Sequence, residues 1–283
     1  VHSSGARVAF CHKQGYLRTY ACFATNFGSV DDRFRIGGGD EIVLPDGVAH
    51  FLEHKMFEGI EEDAFQEFSR LGASANAFTG FNGTSYLFSC TDHFYECLSH
   101  LVRFVQSPHF TEENVEKEKG IIGQEIRMYE DMPGWRVYFN LLEGMYAHHP
   151  VSKDIAGTVE TISGIDAPML QRCWESFYHP SNMILFAVGD QSEEEFFDHA
   201  DRLLQEKDLG PAPALEKIVT LEEATPAQAQ VRQEMQVGRS KLLFGWKDIH
   251  PGLSGQDMVR KDRGLFGEEK KTIYDYSRTN QMP

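Results

Sequence analysis

The spacing of hydrophobic positions changes several times along the chain, and each change marks an element. Residues 7–12 and 17–26 are rich in β-branched and aromatic side chains and read as strands, with Lys13-Gln14-Gly15 as a turn between them. Residues 47–57 are mostly apolar at helical spacing. A second helix is expected over 62–71, closed by Gly72. Residues 75–79 and 85–89 alternate around Gly80-Phe81-Asn82-Gly83 and predict a hairpin whose outer edge could accept an extended peptide. Residues 92–106 form an amphipathic helix with Phe94, Leu98, Leu101, Val102 and Val105 on its apolar side. Helices are expected over 115–129, 135–147, 169–177 and 193–204, and a buried strand over 183–188.

The helix over 47–57 carries the chemistry. His50-Phe51-Leu52-Glu53-His54 sets two imidazoles four residues apart, one above the other on one helix face, with a carboxylate between them. Two such imidazoles can hold one Zn²⁺, and Glu53 is near enough to handle the proton of its water. With 12 His and 43 Asp+Glu in 283 residues, a random His-x-x-acid-His is expected roughly 0.08 times. The bland alternative is a solvated helix face. Val48, Ala49, Phe51, Leu52, Met56 and Phe57 argue against it, because they bury the helix, and buried imidazoles and carboxylates need partners. Pro45-Asp46-Gly47 marks the helix start, with Asp46 as the expected N-cap.

A catalytic zinc usually takes a third protein ligand. The helix over 115–129 offers candidates, since Glu118, Ile121, Ile122, Glu125 and Tyr129 recur at helical spacing. Thr111 is its expected N-cap and Glu112 and Glu113 suit its first turn, but Asn114 stands where a full capping box wants Glu or Gln. The alternative is that the glutamates pair with Lys117 and Lys119 at the surface. Flanking Ile121, Ile122 and Met128 weaken that alternative for Glu125.

With these stretches together, the chain resembles the pitrilysin/insulinase family of zinc metallopeptidases, the inverzincins. Asp46-Gly47-Val48-Ala49-His50-Phe51-Leu52-Glu53-His54-Lys55-Met56-Phe57 is similar to its active-site helix, and 72–79 to its substrate-binding edge strand. The run Glu118-Lys119-Gly120-Ile121-Ile122-Gly123-Gln124-Glu125 is similar to the bacterial YmfH-like branch. So are Met128-Tyr129, Trp135-Arg136, Asp154-Ile155-Ala156-Gly157-Thr158 and Tyr178-His179-Pro180-Ser181-Asn182. The resemblance implies an α+β fold, a mixed or antiparallel sheet flanked by helices, with an incomplete second domain. It implies zinc held by His50, His54 and Glu125, with Glu53 as general base and Glu118 supporting catalysis. Asn76 and Ala77 would pair with substrate backbone. The implied function is zinc-dependent endopeptidase hydrolysis of peptides, in a homodimer or with a related subunit supplying a second half. The branch's association with elongation factor P modification gives the alternative, a non-catalytic or accessory subunit.

Composition narrows the remaining classes. A net charge of −16 without a basic stripe argues against nucleic acid. No run of eighteen apolar residues indicates a membrane span. The five cysteines are scattered, as in reduced cytosolic proteins, and the sequence shows no charged-then-apolar leader, so a cytoplasmic location is expected. Gly37-Gly38-Gly39 lacks the Lys-Ser/Thr of a phosphate loop. His93, His100 and His109 are expected at surface or capping positions, and His148-His149 in a loop. The expected organisation is a zinc-bearing domain over 1–208, a proline-containing linker over 209–230, and the truncated start of a second domain over 231–283. Within that last part, 240–246 is expected as a strand and the tail beyond His250 as disordered.

Overall fold

A computed structural model describes residues 1–58, 64–207 and 209–247. The main sheet is built from β1 (Arg7–His12), β2 (Thr19–Thr25), β5 (Ser74–Thr79), β6 (Thr84–Cys90) and β7 (Met183–Gly189), in the order β1-β7-β2-β6-β5. A small second sheet has the order β4-β3-β8, from β3 (Arg33–Ile36), β4 (Ile42–Val43) and β8 (Leu215–Lys217). The helices are α1 (Val48–Met56), α2 (Ala64–Arg70), α3 (Phe94–Val105), α4 (Glu112–Glu130), α5 (Pro133–Met145), α6 (Val159–Ser163), α7 (Ala167–Phe177) and α8 (Glu193–Gln205). The α+β reading therefore holds, with a mixed sheet flanked by helices.

Period-two patterning fixes the sheet. β2, β6 and β7 each alternate buried and half-buried residues along their length. Register brings the buried positions into rows on one face: Ala21 lies opposite Phe88 and Ala187, and Phe23 opposite Tyr86 and Leu185. Directly opposed side chains share a face, so these rows form one apolar surface, on which α1 and α3 pack. Phe23 is fully buried within it. Phe23→Ala is expected to destabilise the chain by about 3–5 kcal/mol, read as a lower urea midpoint with an unchanged slope.

β1 and β2 do not pair with each other. β7 lies between them, parallel to β1 and antiparallel to β2. The predicted turn at 13–15 thus reverses the chain across an intervening strand. A parallel partner requires a long crossover, and here it arrives about 170 residues later. The predicted hairpin forms as β5 and β6, and β5 is the outermost strand.

Three further expectations change. Asp46 does not cap α1; its carboxylate pairs with Lys153 at 2.7 Å. Gly47 is the N-cap, with φ 93°. A Cβ there would meet the Ala156 carbonyl oxygen at 2.5 Å, and a Cβ on Gly157 would meet the Asp46 carbonyl oxygen at the same distance. The two glycines let the 154–157 loop lock against the start of α1. At α4 the capping box is complete, because the Asn114 side chain accepts from the Thr111 backbone N–H while Thr111 accepts from that of Asn114. Residues 240–246 form no strand; Gly245 in this stretch lies against Met145 and Leu141 of α5. Within 209–230, β8 pairs with β3. The expectation for the tail beyond His250 lies outside the described residues, as does the predicted start of α2.

Candidate metal centre

Helix α1 is almost entirely buried, including His50, Glu53 and Lys55. It packs between the edge strand β5 and helix α4. On α4, Glu118 and Glu125 are two turns apart and so face the same way. That face meets the imidazoles of α1.

His50, His54 and Glu125 come together, offering ligand atoms within 4.8 Å of one another. Glu125 Oε2 lies 3.3 Å from His54 Nε2 and 3.7 Å from His50 Nε2. Two ligand atoms each bonded at about 2.0–2.1 Å to a tetrahedral ion stand about 3.4 Å apart. Both observed separations are near that value, so the donor set fits one divalent metal ion.

The atoms turned away from this point are held too. Glu118 Oε1 is 3.0 Å from His54 Nδ1, which directs the Nε2 lone pair of that ring toward the cluster. The Tyr129 hydroxyl donates to Glu125 Oε1 at 2.5 Å. His50 Nδ1 is buried and has no hydrogen-bond partner among the described residues. Lys55 is fully buried; its ammonium pairs with Glu58 and lies 4.0 Å from Glu118 Oε2.

The electrostatics follow from these contacts. Burial and the neighbouring His54 push His50 down to about 4. Burial opposes charge on His54, but its hydrogen bonds with Glu118 and Glu125 outweigh it and raise the ring to about 9. The His54 hydrogen bond, helped by Tyr129, lowers Glu125 to about 2. Burial raises Glu53 above the ordinary carboxylate range, opposed by a 2.6 Å hydrogen bond from Thr79 Oγ1. Burial and the Glu125 carboxylate keep the Tyr129 hydroxyl protonated, as a donor.

These directions set a pH dependence for metal uptake. At pH 7, His50 is already neutral and Glu125 already ionised, while His54 carries a proton that a metal must displace. Apparent affinity should therefore rise with pH, by about tenfold per unit for one displaced proton, and level off near 9. Calorimetry at pH 7 in buffers of different ionisation enthalpy should find about one proton released per ion; no release would mean that His54 is already neutral at that pH and would contradict its raised pKa.

The cluster lines a cleft of about 730 Å³ that also takes in Asn76, Ala77, Thr79 and Trp135. Asn76 and Ala77 lie on β5, where the Asn76 side-chain oxygen accepts from the Ala77 backbone N–H at 2.9 Å. All seven residues singled out from the sequence thus border one cleft. Sequence reasoning did not assign roles to Thr79, Lys55, Tyr129 or Trp135. For Tyr129 a signal existed, since it stands four residues after Glu125 on the same helical stripe. For Lys55 it was a lysine inside an apolar run. Thr79 gave none.

Some of the other described histidines bond to backbone. His149 Nδ1 accepts the Val151 backbone N–H in the loop after α5, and His100 contacts the Ala64 carbonyl oxygen. No helix among the described residues is long and apolar enough to cross a membrane.

Comparison with known proteins gives a consistent picture. Residues 37–159 match the family model described as Insulinase (Peptidase family M16), and residues 164–248 match the one described as Peptidase M16 inactive domain. The chain is 46% identical to the uncharacterized zinc protease YmfH of Bacillus subtilis, over 93% of this chain and 62% of that protein. It is similar to the crystal structure of an M16-like peptidase from Alicyclobacillus acidocaldarius, with TM-score 0.78 and 45% identity, over 81% of this chain and 54% of that one. The first half of the periplasmic protease PqqL of Escherichia coli shares the fold, with TM-score 0.61 at 21% identity, over 75% of this chain and 46% of that one. The chain thus spans between about half and six tenths of the length of these relatives.

Proposed function

This chain belongs to the insulinase (M16) peptidase family, and from that premise we propose that it carries the metal-bearing part of a zinc-dependent peptide hydrolase. The observation that supports this most is the convergence of His50 Nε2 and His54 Nε2 on Glu125 Oε2, with the Glu53 carboxylate on the same buried helix. Two neutral imidazoles and one carboxylate suit zinc, and the name zinc protease borne by YmfH agrees with that choice.

Bound zinc supplies Lewis acidity, lowering the pKa of its water toward neutrality and polarising the scissile carbonyl. His50, His54 and Glu125 are its holders in this reading. Glu53 accepts the proton of the attacking water and returns it to the leaving amine. Burial raises its pKa above that of a free carboxylate, which moves it toward the range where one group can both take and return a proton. Thr79 steadies the carboxylate from the edge strand. Glu118 keeps His54 in the tautomer that faces the ion. An extended peptide would add to the outer edge of β5, with Asn76 and Ala77 meeting its backbone.

The reading includes a partner, either a second copy or a related subunit that supplies a second half. A non-catalytic or accessory subunit is the second reading, and the match of 164–248 to the inactive-domain model favours it. The buried Glu53 beside the cluster favours the first, since holding a metal does not require it. The deciding experiment is peptide cleavage by the purified chain, alone and mixed with related subunits, with and without chelator. Chelator-sensitive cleavage is expected; one zinc per chain with no cleavage in any mixture would favour the accessory reading.

A further inference from the structure

The outward oxygen of Glu125 has a partner within the protein. Tyr129 follows Glu125 by one turn of α4, and its hydroxyl donates to Glu125 Oε1 at 2.5 Å. The other oxygen, Oε2, faces the two imidazoles at 3.3 and 3.7 Å. A carboxylate with both oxygens free can close on an ion through one or both. One whose second oxygen is already a hydrogen-bond acceptor is biased toward using the first alone.

Tyr129 is itself braced. Its ring stacks on Trp135, with centroids 4.5 Å apart and planes 14° apart. The Trp135 indole N–H donates to Asp154 Oδ2 at 2.5 Å, and Asp154 Oδ1 accepts the Ala156 backbone N–H at 3.1 Å. The same loop interlocks through Gly157 with Gly47 at the start of α1. The contacts therefore close a ring, from the N-terminus of α1 through Asp154, Trp135, Tyr129 and Glu125 back to His54 on α1.

We propose that Tyr129 is a positioning residue that holds Glu125 to one-oxygen ligation of the metal, with Trp135 and Asp154 as its brace. The proposal rests on the metal reading above. Its effect is to keep a coordination position open beside Glu53 and to fix the ligand carboxylate between the two helices. On His54, Glu118 performs the matching task.

The test uses metal binding and a spectrum, with no substrate present. Tyr129→Phe keeps the ring that stacks on Trp135 and removes only the hydroxyl. Zinc affinity, measured by competition with a chromophoric chelator, should fall by about 10–100-fold, the usual cost of losing an outer-shell partner. With Co²⁺ as the probe, the visible d–d bands should weaken, as they do when coordination number rises. Trp135→Phe, which keeps an aromatic ring but loses the N–H to Asp154, should shift both readouts the same way by less. It carries the test independently if Tyr129→Phe does not fold. Unchanged zinc affinity and an unchanged cobalt spectrum in either folded variant would overturn the proposal while leaving the metal reading intact. A wild-type chain that takes up neither metal would overturn both.

Discussion

Replacing Glu53 with Gln should leave zinc bound and remove peptide hydrolysis. Gln matches the size of Glu and can still accept the Thr79 hydroxyl through its amide oxygen, which now lies 2.6 Å from Glu53 Oε2. Glu53 is not among the three residues whose ligand atoms converge, so zinc stoichiometry should stay at one. What Gln cannot do is take a proton from water and pass it on. General acid–base groups contribute about 10²–10⁴-fold to rate, and kcat in the cleaving assembly should fall by that much. Metal analysis and a peptide assay on the same preparation check both halves. Cleavage within tenfold of the parent would remove Glu53 from the proton-transfer role.

Glu125→Ala is expected to have the larger effect, losing zinc and hydrolysis together. The substitution takes away the ligand oxygen that faces both imidazoles. It also removes the acceptor of the Tyr129 hydroxyl and one of the three carboxylates that raise His54. Losing an outer-shell partner costs about 10–100-fold in metal affinity, and losing a ligand should exceed that range. After dialysis against a weak chelator the variant should hold little zinc while the parent holds one equivalent. Full zinc retention would mean that another group completes the site. The contrast between the two variants separates holding the metal from using it.

The metal-bearing residues could be read from the chain because their signals are local. A four-residue His spacing fixes a shared helix face wherever the helix lies, and a seven-residue Glu118–Glu125 spacing does the same for α4. The β5–β6 hairpin was also local, set by alternation around a glycine-containing turn. What escaped prediction depends on distant chain. The insertion of β7 beside β1 is a pairing across about 170 residues, and no short-range pattern encodes it. Gly47 rather than Asp46 starts α1 because the 154–157 loop approaches too closely for a side chain. The strands of the small sheet are two to four residues long, too short for a period to stand out. Thr79 reaches Glu53 only because the edge strand runs alongside α1. Tyr129 is the local exception: its place one turn after Glu125 on α4 allows the contact, but spacing alone does not say whether the hydroxyl or only the ring is used.

Anomalous scattering at the zinc edge, from crystals of this chain grown with zinc, tests the three-ligand site most directly. A single strong peak is expected within about 2.0–2.2 Å of His50 Nε2, His54 Nε2 and one oxygen of Glu125. A peak elsewhere, or none at this cluster in zinc-saturated crystals, would contradict the site on which the proposed chemistry depends.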